Sequence, residues 1–322
     1  MLNLRKRWCS DSMIVAALMV LTLLMACVGK FETKPALTAT CGTDWQRQAG
    51  IHERDIPDAN ENKGLSVLVW NIHDRLLSDS LFSSDAHTED DVACIGDLAS
   101  RYDLVLFQEA FVRPAQLARY TGHIWADHPL FVKGGGGDWW PLRWMCEICL
   151  SPGLLMLARE KPAFVYAEPY EAFAGWNTGL NKADDFFSKG FQLVQFPTFW
   201  ALNSHMDAGR GQDSIDARAL QFRQMTTALK RLVPPNVPLL IGMDGNLRPD
   251  QETQDGKVLR KFLEENRLTL VFQNGPDLII TRNLRIERPR SLPLKNVLSD
   301  HNGLSVIAYP PSMYEQRLQG AQ

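Results

Sequence analysis

The stretch Leu65-Ser66-Val67-Leu68-Val69-Trp70-Asn71-Ile72-His73 decides the reading of this chain. Its first six residues are apolar apart from one serine and include two valines, which suits a strand buried on both faces. The run then breaks into Asn71 and His73, which a purely structural strand end does not require. The same pattern recurs along the chain. Leu104–Gln108 runs into Glu109, Phe199–Ser204 into His205 and Asp207, and Leu239–Met243 into Asp244-Gly245-Asn246. Asp277 opens a strand over Leu278–Thr281, and Ser299-Asp300-His301 precedes one over Leu304–Tyr309. Leu154–Ala158 and Gln192–Phe196 complete the expected strands. Polar groups gathered at strand ends are where α/β proteins build their sites.

Between the strands, Ile215, Ala219, Phe222, Met225, Leu229 and Leu232 recur at helical steps, with Asp213 or Ser214 as the expected cap. A second helix is expected over 257–266, with Val258, Leu259, Phe262 and Leu263 inward. The sequence contains no internal repeat. Alternating strands and helices predict one α/β domain over residues 64–312, followed by a short tail over 313–322.

The N-terminus carries a different message. Arg5, Lys6 and Arg7 precede an apolar run over 13–26, too short for a spanning helix and right for a signal-peptide core. The run closes on Leu24-Met25-Ala26-Cys27, which resembles a bacterial lipobox. The expectation is a signal over 1–26, lipid on Cys27, and a polar tether and lead-in over 27–63. An uncleaved membrane anchor is the alternative. Val28, in place of an aspartate, favours the outer membrane. Cys41, Cys94, Cys146 and Cys149 then remain, an even number that suits an oxidising compartment, with three pairings open. Cys146-Glu147-Ile148-Cys149 lacks the second pair of ligands that a zinc site needs.

The chain has 322 residues, 45% hydrophobic and 22% charged, with a net charge of −3. That balance offers no bulk attraction to nucleic acid. The residue types at the strand ends fit metal-assisted phosphodiester hydrolysis. A hard divalent cation takes oxygen ligands, which Asn71, Glu109 and Asp300 can supply. His205 and His301 titrate near neutrality and can move protons, each oriented by an acidic partner.

The ordered set WNIH (70–73), QE (108–109), SHMD (204–207), GMDGN (242–246), the strand opening at Asp277 and SDH (299–301) resembles the endonuclease/exonuclease/phosphatase superfamily. The resemblance spans about residues 64–309. It implies an α/β (α+β) four-layer sandwich, two packed and mainly antiparallel sheets flanked by helices. It implies Mg²⁺, with Mn²⁺ or Ca²⁺ as substitutes, held by Glu109 with Asn71 close by and Asp300 joining the metal or phosphate site. Asp244 and Asn246 would orient the nucleophile and hold phosphate oxygens. His301, paired with Asp277, would contact phosphate or activate water, and His205 would protonate the leaving group. His205, Lys189-Gly190-Phe191, and Arg218 with Gln221 look most like the sphingomyelinase C branch. The expectation is therefore a lipid-anchored phosphodiesterase acting on a phospholipid headgroup. An extracellular nuclease and a catalytically inactive binding module are the alternatives.

His73 stands between site and scaffold. His52, His87, His123 and His128 belong to no motif and read as surface residues. The segment 122–150, with Trp125, Trp139, Trp140, Trp144 and four glycines in a row, reads either as a lipid-touching loop or as aromatic packing.

Overall fold

The computed structural model describes residues 51, 64–74, 87–129, 151–174, 189–247 and 253–311. The segments expected as signal, lipobox, tether and C-terminal tail lie outside them except for Ile51, which is buried in the core. His52, Cys41, Cys146, Cys149, Trp139, Trp140 and Trp144 also lie outside them. Cys94 is disulfide-bonded.

Among the described residues, twelve strands form two six-stranded sheets. The first contains β1 (Leu65–Asp74), β2 (Leu104–Ala110), β3 (Trp125–Asp127), β4 (Leu155–Ala158), β11 (Arg285–Leu292) and β12 (Gly303–Tyr309), in the order β11-β12-β1-β2-β4-β3. The second contains β5 (Phe164–Pro169), β6 (Gly190–Gln195), β7 (Trp200–His205), β8 (Leu239–Asp244), β9 (Thr269–Asn274) and β10 (Asp277–Arg282), in the order β5-β6-β7-β8-β10-β9. Each sheet is antiparallel except for one central parallel pair, β1–β2 and β7–β8. A parallel pair needs a crossover, and α1 (Glu89–Ala99) and α3 (Gln212–Leu232) supply the two. Two further helices, α2 (Pro114–Thr121) and α4 (Gln254–Asn266), follow β2 and β8. The sheets pack through Val67, Val69, Leu104, Leu106, Leu240 and Ile279, while separate apolar clusters seat the helices on each outer face. This is the expected four-layer sandwich.

The sheets approach closely at Gly242, two residues before Asp244. A Cβ on Gly242 would stand 2.5 Å from Val69 Cγ2 and 2.6 Å from Leu106 Cδ1. Close by, Gln108 Nε2 donates to Asn203 Oδ1 at 2.7 Å, and Asn203 Nδ2 donates to the Phe107 carbonyl at 2.9 Å. Buried amides must find partners, and these two find each other across the sheets, one residue before Glu109 and two before His205.

All eight expected strands are present. The four unexpected ones, β3, β5, β9 and β11, are the sheet edges. The inner strands are almost continuously buried, while β5, β9 and β11 mix exposed and half-buried positions. Helix α1 was also unexpected. Its Thr88–Asp91 capping box marks its start, but Ala93, Gly96 and Ala99 dilute the apolar period. For α3 the cap is Gly211, with no side-chain hydrogen bond, instead of Asp213 or Ser214. Its first turns bury Ser214, Arg218 and Gln221 and leave Ile215 and Ala219 half-buried, because the inward face there carries Arg218 and Gln221, which bond to the backbone of the loop after β7.

Three histidines expected at the surface are partly buried. His87 and His123 set Nε2 on the carbonyls of Ile72 and Tyr102, and His128 sets its Nε2 on Ala110. An imidazole can meet a backbone carbonyl through a ring N–H, a contact that needs no sequence motif. Burial pushes the pKa of both His123 and His128 down to about 4, against the opposing pull of those carbonyls. Trp125 packs edge-on against Phe196, with ring centroids 6.0 Å apart, so this member of the tryptophan group serves the core.

Candidate active site

The polar ends of both sheets meet at one place. In the second sheet, Gly190, His205, Asp244, Asp277 and Asn274 occupy one row across five strands. In the first, Asn71 and Gln108 are partners, and the register then shifts between Asn71 and Asp74. His73 and Glu109 both take the left-handed conformation, each with φ of 56°. That backbone is uncommon for residues with a Cβ and stores strain where a site needs a particular aim. Asn246, with φ of 49°, is the third such position at the site.

Asp244 lies at the centre and is fully buried. Its Oδ2 accepts from Asn71 Nδ2 at 2.8 Å, and its Oδ1 accepts from the Asn246 N–H at 2.9 Å. Burial alone would raise its pKa. The positive charges of His301 and His205, helped by those two hydrogen bonds, outweigh burial and hold it below the usual carboxylate range. His205 Nε2 stands 3.5 Å from Asp244 Oδ2 and 3.6 Å from Glu109 Oε1. Lys189 Nζ lies 2.7 Å from the same nitrogen.

Across Asp244, His301 pairs through Nδ1 with Asp277 Oδ2 at 2.7 Å and directs Nε2 towards Asp244 at 3.9 Å and Asp300 at 3.8 Å. Burial disfavours the imidazolium, but the hydrogen bond to Asp277 and three surrounding carboxylates overcome it and raise the pKa well above its ordinary value. Asp277 is raised in turn, chiefly by its own burial and against the pull of His301. His73 Nδ1 bridges Asp300 Oδ1 at 3.1 Å and Glu109 Oε2 at 3.4 Å. Burial of Asp300 works to raise its pKa, and His73 and His301 reverse it to a net lowering.

All eight residues singled out by sequence therefore converge. His205 stands beside both Glu109 and Asp244, His301 with its partner Asp277 faces Asp244, and His73 links Glu109 to Asp300. The amide of Asn71 joins Asp244 to the His73 N–H, and the amide of Asn246 donates to the Met206 carbonyl at 2.9 Å. Sequence reasoning did not assign Lys189 to the site. Its signal was a lone cation opening a buried strand. Ser299 was also missed as a support, with Oγ donating to the Asn71 carbonyl at 2.7 Å and accepting from the His301 N–H at 3.0 Å.

A divalent cation fits this donor set. Glu109, His205 and Asp244 each place a ligand atom within 4.8 Å of the others, as do Asp244, Asp277 and His301. Glu109 and Asp244 can supply the one or two carboxylates by which a Mg²⁺ ion is usually held, with waters and phosphate oxygens completing its shell.

No protein-family model and no curated protein sequence matches the chain. Solved structures do. Sphingomyelinase C from Streptomyces griseocarneus superposes with a TM-score of 0.53 at 16% identity, covering 77% of this chain and 100% of that one. A doubly substituted beta toxin from Staphylococcus aureus, with bound magnesium ions, gives 0.52 at 14% identity over 76% and 99% of the two chains. This is the endonuclease/exonuclease/phosphatase fold. A Beutenbergia cavernae protein described by that family name gives 0.53 at 14% identity over 77% and 72%. At these identities the likeness is one of fold, and the chemistry has to be argued from the side chains.

Proposed function

We propose that this chain is a divalent-metal-dependent phosphodiesterase that hydrolyses a phospholipid headgroup ester, exported and held at the cell envelope by lipid on Cys27. The observation that carries the reading is the meeting of Glu109 and Asp244, one from each sheet, with His205 beside both and the His301–Asp277 pair opposite. A bound Mg²⁺ would polarise the phosphoryl group and ease formation of the nucleophile. Glu109 and Asp300 would hold it, with Asn71 fixing the Asp244 carboxylate alongside.

The remaining work belongs to the protein. His301, protonated and anchored by Asp277, presents Nε2–H as a charged donor to a phosphate oxygen. Asp244, kept ionised, accepts a proton or a hydrogen bond from the attacking water. His205 sits where a proton can pass to the departing oxygen, and Lys189 offsets charge that builds there. Fixed donors of this kind act without reorganising during the reaction. The fold shared with sphingomyelinase C from Streptomyces griseocarneus, and a net charge without the basic excess a nuclease groove favours, support the lipid headgroup as substrate.

The test is a parallel assay with Mg²⁺ and with EDTA on sphingomyelin, phosphatidylcholine, plasmid DNA, RNA and bis-p-nitrophenyl phosphate. Headgroup release that EDTA abolishes is the expected result. Cleavage of DNA or RNA without headgroup release would transfer the assignment to a nuclease, and activity on none of the five would leave a binding role. Labelling with a radioactive fatty acid tests the anchor, since Cys27→Ser should abolish it.

A further inference from the structure

The loop after His205 is held by a buried polar clamp on α3. Arg218 and Gln221 lie one turn apart on that helix, and both are at most 1% exposed. Arg218 makes five hydrogen bonds, and each of its three nitrogens takes part. Nε and Nη2 grip the Asp255 carboxylate at 2.9–3.1 Å, and Nη1 donates to the carbonyls of Asp207 at 3.0 Å and Gly209 at 2.9 Å. Gln221 accepts from the Asp207 N–H at 3.0 Å and donates to the Ala172 carbonyl at 2.8 Å. Met206, between the clamp and His205, is joined to the site twice. Its N–H donates to the Asp244 carbonyl at 3.0 Å, and its carbonyl accepts from Asn246 Nδ2 at 2.9 Å.

A helix needs neither a buried arginine nor a buried glutamine for its own packing, and apolar residues there would seat α3 equally well. The polar groups instead satisfy backbone groups of the loop after β7, namely the N–H and carbonyl of Asp207 and the carbonyl of Gly209. The geometry points to Arg218 and Gln221 as positioning residues: they fix the 206–209 backbone, and through Met206 they set His205 and Asn246 against Asp244. This inference rests on the phosphodiesterase reading for its kinetic consequence but not for its structural one.

Arg218→Lys keeps a cation opposite Asp255 but cannot serve both carboxylate and carbonyls. Gln221→Met keeps the bulk and removes both loop bonds, and it provides a second test if the lysine variant folds poorly. A small misplacement of a catalytic group costs about 10²-fold. We expect kcat on an alkyl phosphodiester to fall by about 10- to 100-fold with KM within about twofold. The loss should shrink with a p-nitrophenyl leaving group, as for loss of His205 itself. Amide exchange at Met206 and Asp207 should accelerate while exchange in β10 stays unchanged. Variants that melt earlier but keep the wild-type leaving-group ratio and the wild-type exchange at Met206 and Asp207 would reduce the clamp to a purely structural role. If the wild-type chain cleaves no phosphodiester, the functional reading fails, and the exchange measurement alone still decides the positioning claim.

Discussion

The two sheets have the same plan. Each has a parallel pair joined by a helical crossover, β1-α1-β2 and β7-α3-β8, and each pair is followed by a helix and an antiparallel strand pair. Each sheet delivers a carboxylate to the site from the second strand of its parallel pair, Glu109 in one and Asp244 in the other. The delivery differs. His205, Asp244 and Asp277 project from regular backbone in one row of the second sheet. His73 and Glu109 project from the first sheet only because the backbone takes the left-handed conformation at a register shift. One sheet acts as a straight template, and the other is bent to meet it.

The largest effects should come from the two carboxylates. Glu109→Gln and Asp244→Asn keep size and remove charge, and each should lower Mg²⁺-dependent kcat by at least about 10³-fold while circular dichroism is preserved. Equal losses would mean that both sheets contribute alike. A loss confined to Asp244 would break the symmetry and remove Glu109 from the chemistry.

The histidines come next. A positioned acid or base contributes about 10²–10⁴-fold, so His205→Ala and His301→Ala should each lose that much kcat. Their losses should not multiply in the double variant, because groups acting as a unit are non-additive. A p-nitrophenyl leaving group should restore much of the activity of His205→Ala and little of that of His301→Ala. The same deficit for both variants on both leaving groups would rule out His205 as the acid.

Stability should separate the two kinds of backbone. His73→Gly relieves a left-handed residue and should raise stability by up to about 1 kcal/mol in urea melts, at the expense of activity. His205→Gly, on a regular buried strand, should lose both. Gly242→Ala tests the contact between the sheets, where overpacking should cost about 1–3 kcal/mol. A wild-type melting temperature for that variant would mean that the sheets can part without harm.

The smallest effect concerns pH. His123 and His128 both belong to the first-sheet half, and their folded pKa values, about 4, lie below the ordinary histidine value of 6.5. The unfolded chain therefore binds more protons between pH 6.5 and 4, so stability is full above pH 6.5 and falls as pH drops through that window. His128→Gln should flatten the fall. A melting temperature constant from pH 7 to pH 4.5 would contradict the buried neutral assignment.

How much was legible follows from where each residue gets its environment. A strand with neighbours on both sides and layers on both faces must be apolar throughout, so every inner strand was legible in the sequence. Edge strands such as β5 and β9 face water along one side and carry no such constraint. The eight site residues stood out because a polar group at the end of a buried strand is costly unless it has a task. Their partners did not stand out. Lys189 lies 16 residues from the histidine it touches, and Arg218 sits 37 residues from Asp255.

The sequence by itself determined the α/β class and the inner strands, because burial restricts residue type position by position, and it marked the polar strand ends from which the proposed chemistry is argued. Only the tertiary structure decided which carboxylates converge, that His301 rests on Asp277, that His73 and Glu109 bend into the site, and that α3 turns a polar face to the loop behind His205. Those facts depend on distances between residues remote in the chain, and such distances are set by how the two sheets pack and not by any local pattern.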